Sequence, residues 1–260
     1  MPASDRQPAP GPETGHGPSS NGMPNRVPWS IGEGVGAAGI FFVSNVFFSK
    51  AAFLVAPPGA WWPGLVGAGG AAVLTLSLVF TVLLDRAPED VKVLSLLCVR
   101  RPPLWPALKK AIPTLAAGFA GYYAVSWLQA IILQAMDIPP DSIPRQQAVK
   151  LLTDSPSGAA TVTLVVFAVA FAPVVEETIF RGMLYLPVRS QLGPVGAAVL
   201  VSLVFAGVHN YAWGFPQLFV VGLILAAVFE ATNTLLAPML VHGLYNAASV
   251  ALLMTWSGQG

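Results

Sequence analysis

The sequence predicts an all-α fold, a polytopic transmembrane helix bundle of about seven spans around a polar cavity. Three observations carry that expectation. Of 260 residues, 55% are hydrophobic and only 10% are charged. A soluble domain carries about 25% charged residues, and so few charges cannot cover a water-facing surface. The apolar residues are gathered into runs, most of them near the length of roughly 18 or more that marks a candidate transmembrane helix. A small set of ionisable side chains interrupts those runs in the C-terminal half, where each is costly and marks a functional candidate.

From the N-terminus, MPASDRQPAPGPETGHGPSSNGMPNRVPWS holds few apolar side chains. Too little burial is available to offset the entropy of ordering, so residues 1–30 are expected to be a disordered tail. That stretch lacks the basic patch and apolar core of a cleavable signal peptide, and none is expected. The first span is expected at about 34–56, stopped by Pro57 and Pro58, and the second at about 63–84. A charged connection, 85–110, leads to a third span at about 111–135. A second connection, 136–157, is marked by Pro139, Pro140 and Pro144. The fourth span, about 158–175, runs into Glu176, and three more follow at about 194–209, 215–231 and 235–255. Residues 31–157 thus form an N-terminal transmembrane region, and 158–255 a second one that carries the intramembrane polar residues.

Charge in the connections sets the orientation. Arg86, Lys92, Arg100, Arg101, Lys109 and Lys110 are six of the thirteen basic residues and share one short connection, which the positive-inside rule places in the cytoplasm. Two spans precede it, so the N-terminus is expected to be cytoplasmic as well, in a multi-pass protein of the cell membrane. Glu176 then falls near the cytoplasmic end of span four, a position open to the cytosol or the inner leaflet. The net charge is +1, with no basic stripe, and no nucleic-acid partner is expected. Cys98 is the single cysteine, which excludes an intrachain disulfide and a thiolate metal site.

Three short elements hold the intramembrane polar residues. In FAPVVEETIFRG, Glu176 and Glu177 are adjacent and project about 100° apart on a helix. Glu177 and Arg181 are four apart and share a face, where an ion pair would neutralise both. Glu176 is left without an intrahelical cation, as a general base requires. The plain alternative is a helix end with ordinary solvated charges. In LVFAGVHN, Phe205 and His209 share a face, and a hydrogen-bonded core histidine is the competing reading. In APMLVHGLYNAA, His242 and Asn246 share a face and offer a ring nitrogen and an amide suited to a developing oxyanion. Interhelical hydrogen bonding is the alternative there. A carboxylate, two histidines and an amide in three separate helices are explained most economically by one buried site. Glu230, in span six, belongs to none of the three elements and is given no catalytic role.

At these residues the sequence resembles the CPBP intramembrane proteases, which include the type II CAAX prenyl endopeptidases and the bacteriocin-processing or immunity proteins formerly called Abi. That family's pattern is EExxxR, FxxxH and HxxxN or HxxxD. Here it reads Glu176-Glu177-Thr-Ile-Phe-Arg181, Phe205-Ala-Gly-Val-His209 and His242-Gly-Leu-Tyr-Asn246. The likeness covers about residues 160–252. It implies hydrolysis of a peptide bond within the membrane, on a peptide or membrane-protein substrate. By motif, Glu176 would activate the attacking water. His209 would position that water or bind a metal, and His242 and Asn246 would stabilise the oxyanion. Glu177, Arg181 and Phe205 would support the site. A divalent metal such as zinc would take Glu176, His209 and His242 as ligands. No HExxH helix is present, and a glutamate-activated water needs no metal, so the expectation is a site that requires none. A non-catalytic immunity or binding protein using the same cavity is the alternative function. A transporter is disfavoured by the absence of an internal repeat.

Overall fold

The computed structural model describes residues 27–57, 60–87, 92–98, 104–139, 142–144, 146–153 and 158–257. Most of the tail expected at residues 1–30 lies outside them, as do Arg100 and Arg101 of the basic connection. Among the described residues every regular element is helical.

Helix α1 (Ile31–Val55) starts at a capping box. Ser30 Oγ accepts from Glu33 N at 3.2 Å, and the Glu33 carboxylate accepts from Ser30 N at 2.7 Å, satisfying donors that the helix start leaves open. Trp29 fixes this end to the core, its indole N–H donating to the Met183 carbonyl at 2.9 Å. After Pro57, α2 (Pro63–Arg86) returns against α1, and Arg86 pairs with Glu33 at 3.1 Å. A short α3 (Val93–Leu96) leads to α4 (Leu104–Ala135). That helix begins about seven residues before the third span expected from 111, because Leu104, Trp105, Ala107 and Leu108 continue its first turns. The 136–157 connection carries a helix of its own, α5 (Gln147–Thr153).

Six helical runs are long and apolar enough to cross a membrane. One of them, Gly158–Val208, has 51 residues, about 76 Å of helix at 1.5 Å per residue, against a hydrocarbon core of about 30 Å. It comprises α6 (Gly158–Val166), a π-helical segment Phe167–Phe171, α7 (Ala172–Glu177), a second π-helical segment Thr178–Tyr185, and α8 (Leu186–Val208). The run bends at Gly193, whose φ of 71° and ψ of 175° lie outside helical space. Glycine alone takes that conformation without a Cβ penalty. Pro194 follows. Beyond the bend the chain doubles back, so that the Phe205 ring packs edge-on against Phe180 at 5.2 Å. The run therefore makes two passes, which accounts for both the fourth and the fifth expected spans.

The fourth span does not stop at Glu176. The helix continues through 192, because Glu177 and Arg181, which follow Glu176, neutralise each other inside the bundle. Helices α9 (Phe215–Thr232) and α10 (Leu236–Ser257) complete the chain. Asn233, in a left-handed conformation (φ 55°), ends α9, and Leu235 N donates to the Cys98 carbonyl at 3.1 Å. The start of α10 is thereby tied to the α3 connection. Glu230 serves the same end of the molecule: it accepts from Tyr185 Oη at 2.9 Å and pairs with Arg189 through both carboxylate oxygens.

The core lies within the second half of the chain, around Phe180, Tyr185, Phe205, Leu225 and Phe229. The outer faces of α1 and α4 are apolar and open, with Val43, Leu54 and Trp127 each more than 70% exposed. Such a surface is a liability in water and is suited to lipid. The fold is that of a multi-pass membrane protein.

Candidate active site

Glu176 and Glu177 sit on α7, a six-residue α-helical segment between the two π-helical ones. Each π turn carries a surplus residue, which shifts the helix face relative to its neighbours, and such turns recur at functional sites. The two glutamates themselves lie within the α-helical segment, and adjacent positions there project about 100° apart. Glu177 points inward and is fully buried, as is Arg181, whose Nη1 donates to Glu177 Oε1 at 2.9 Å. The ion pair expected from the sequence forms, but in the interior and not at a solvated helix end. Arg181 Nη2 donates to the Gly222 carbonyl of α9 at 2.9 Å, and its guanidinium lies 5.0 Å from the centre of the Phe205 ring. One cation thus joins α7, α8 and α9.

Glu176 faces the other way, and its side chain is 19% exposed. Its Oε2 accepts no hydrogen bond from the described residues. It stands 3.9 Å from Nε2 of His209 and 3.9 Å from Nε2 of His242, too far for a direct hydrogen bond. Both rings are held from behind. His209 Nδ1 lies 2.6 Å from the Phe205 carbonyl. A carbonyl can only accept, so this nitrogen carries the proton. His242 Nδ1 lies 3.0 Å from Glu177 Oε1, and with that carboxylate ionised against Arg181 it too is the donor. In the neutral rings both Nε2 atoms therefore turn lone pairs toward Glu176. The Phe205 ring packs on both imidazoles, at 4.6 and 6.0 Å between centroids.

Helix α10 approaches this region closely. Asn246 Nδ2 donates to the Ala168 carbonyl at 2.8 Å, leaving its second N–H unspent. A Cβ at Gly243 would come within 2.6 Å of the Val169 carbonyl oxygen. Gly243→Ala must push α10 away from a backbone that cannot yield. The expected cost is about 1–3 kcal/mol, read as a lower thermal midpoint of the purified protein in detergent. An unchanged midpoint would show that the contact is not tight.

The structure thus brings Glu176, His209, His242 and Asn246 to the wall of one cleft of about 330 Å³. Glu177, Arg181 and Phe205 lie behind it. The cleft continues past Tyr245 and Ser249 to Leu253, under Gln146 and Leu152 of the α5 connection. Leu253 lies about 27 Å along α10 from Leu235, which is bonded to the α3 connection. The cleft therefore opens toward the end of the bundle away from the basic connection. The sequence reading ended span four at the first charge and expected the site near the cytoplasmic end of that span.

Sequence reasoning missed Asn45 of α1, which with Phe41 and Ala72 lines a second cleft reaching Glu176 and His209. An amide inside the apolar run 34–56 was the available signal.

A partly buried carboxylate facing two oriented imidazoles and an amide, inside a multi-pass helical bundle, is a constellation chemically suited to hydrolysis. Residues 158–248 match the family model described as type II CAAX prenyl endopeptidase Rce1-like, a likeness to the CPBP intramembrane proteases that is confined to this segment. No curated protein and no solved structure matches the chain.

Proposed function

We propose that the chain is an intramembrane endopeptidase that cleaves a membrane-associated or prenylated-type peptide with a water activated by Glu176. The observation that carries this reading is Glu176 Oε2 standing 3.9 Å from Nε2 of His209 and 3.9 Å from Nε2 of His242. A water with hydrogen bonds of about 2.8 Å bridges gaps of that size. In the proposed step the water oxygen attacks the peptide carbonyl carbon while its proton passes to Glu176 Oε2. His209, locked by the Phe205 carbonyl, accepts the water's other hydrogen and aims its lone pair. The resulting oxyanion takes the free N–H of Asn246 and, in the protonated form of that ring, the Nε2 N–H of His242. Collapse breaks the C–N bond, and Glu176 returns its proton to the leaving amine.

A divalent metal is the competing arrangement. It would take Glu176, His209 and His242 and act as a Lewis acid on the carbonyl. Ligands of a tetrahedral zinc ion with bonds of about 2.0–2.1 Å stand roughly 3.3 Å apart, closer than the 3.9 Å here. Among the described residues no three His, Cys, Asp or Glu groups stand close enough to hold a metal as placed. The spacing favours water.

The charge rule puts the basic connection and the N-terminus in the cytoplasm of a cell-membrane protein. With that orientation the mouth of the cleft faces the opposite leaflet.

The test uses the full chain in liposomes with an internally quenched peptide library, half of it farnesylated, read by mass spectrometry with and without a chelator. Cleavage that survives chelation is expected. Loss of cleavage on chelation replaces the metal-free mechanism with the metal one. Absence of cleavage by the folded protein moves the reading to a non-catalytic immunity or binding protein using the same cleft.

A further inference from the structure

We infer that Asn45, from the N-terminal helix pair and outside the matched segment, binds the backbone of the peptide substrate on the side of the scissile bond opposite Asn246. The inference rests on the protease reading above.

Two clefts meet at Glu176 and His209, with Phe167 and Ala172 in the walls of both. One runs past His242 and Asn246 along α10. The other runs between α1 and α2 and is lined by Asn45 and Ala68. It continues past Asn45, Ser49 and Phe53 into a third apolar cleft that reaches Phe167 and Ala168. A peptide cut at Glu176 must extend on both sides of that carboxylate. The two flanks then lie in the two clefts, one beside Asn246 and one beside Asn45.

The chemistry of Asn45 fits that placement. Its side chain is half-buried on a transmembrane helix, and no hydrogen bond joins its amide to any described residue. An unpartnered amide at that depth is costly, so structural gluing of helices does not explain it. A substrate must be extended at the cleavage point, and unwinding leaves peptide N–H and C=O groups without partners in a medium that offers none. A primary amide supplies a donor and an acceptor together, matching one peptide unit. Glu176, by contrast, offers only an acceptor when ionised. Of the walls that adjoin Glu176 on this side, Phe41, Phe42, Ala68 and Ala72 have no polar side-chain atom, and the Ser49 hydroxyl lies one turn further along α1. Asn45 is therefore the backbone-recognising group on that flank.

The test compares wild type with Asn45→Leu, Asn45→Ala and Asn45→Gln on the library peptide that wild type cleaves fastest. It adds the same peptide with single backbone amides replaced by esters, scanned along both flanks. Loss of one hydrogen bond is expected to lower kcat/KM roughly ten- to hundred-fold in Asn45→Leu, chiefly through KM. Asn45→Gln should recover part of it. Asn45→Leu should keep or raise the thermal midpoint, since an unpartnered amide is replaced by an apolar group of similar size. At one flanking position the ester should cost wild type as much as the Leu variant loses, and cost the variant nothing. Equal turnover by wild type and Asn45→Leu overturns the proposal while leaving the protease reading intact. Losses from ester and variant that simply add at every position also overturn it, because Asn45 then acts through the fold. Absence of cleavage by wild type removes the protease reading and this inference with it.

Discussion

Replacing Glu176 by glutamine is expected to lower peptide cleavage by about 10²–10⁴-fold, the range for loss of a general base, with no loss of stability. Glutamine keeps the size of the side chain and its place between the two imidazoles, but its amide cannot take a proton from water. Stability should hold because Glu176 Oε2 accepts no hydrogen bond from the described residues and stands 3.9 Å from each imidazole, so the folded state forfeits no direct bond. The measurement is single-turnover cleavage of the best library peptide alongside thermal denaturation in the same detergent. Glu230→Gln is the matched control: it loosens the pairing to Arg189 and the bond from Tyr185, away from the clefts that Glu176 lines. It should lower the thermal midpoint and keep turnover. A Glu176→Gln protein with wild-type turnover would remove Glu176 from the chemistry and sink the proposed mechanism.

The three short patterns were legible because each places two residues four apart on one helix face, at least one of them ionisable, and a membrane tolerates such groups only for a reason. The Glu177–Arg181 pair was readable from spacing alone. Its location was not. A hydropathy reading ends a span at the first charge, and it cannot see that 177 and 181 cancel inside the bundle and that Gly222 supplies a further acceptor from α9. The gap between spans four and five was read from hydropathy, which does not show that one helical run extends to Gly193. Orientation of the two histidines was beyond sequence. It depends on a carbonyl one turn before His209 and on a glutamate 65 positions before His242. Asn45 was overlooked because one amide in a long apolar run has no partner in sequence; only the doubling of the chain brings it beside Glu176.

The second large effect is expected at the buried pair itself, where stability and activity should separate. Arg181→Met leaves the Glu177 carboxylate fully buried with His242 as its remaining partner, and it frees the Gly222 carbonyl. Breaking a buried pair from one side costs about 3–5 kcal/mol, so the variant should unfold well below wild type or fail to accumulate. The double variant Glu177→Leu with Arg181→Met removes both charges and fills similar volume. Replacing a whole buried pair by apolar side chains is often neutral or stabilising, and thermal stability should return to near wild type. Activity should not return. Without Glu177, Nδ1 of His242 has no acceptor, so nothing holds the proton there or turns Nε2 toward Glu176. The loss should be about 10–100-fold, as when the group behind a functional histidine is removed. Thermal denaturation and cleavage kinetics on the same preparations read the two effects separately. Recovery of both would mean that the pair serves the fold alone. Recovery of stability without turnover would assign Glu177 a second task, which is to set the proton on His242.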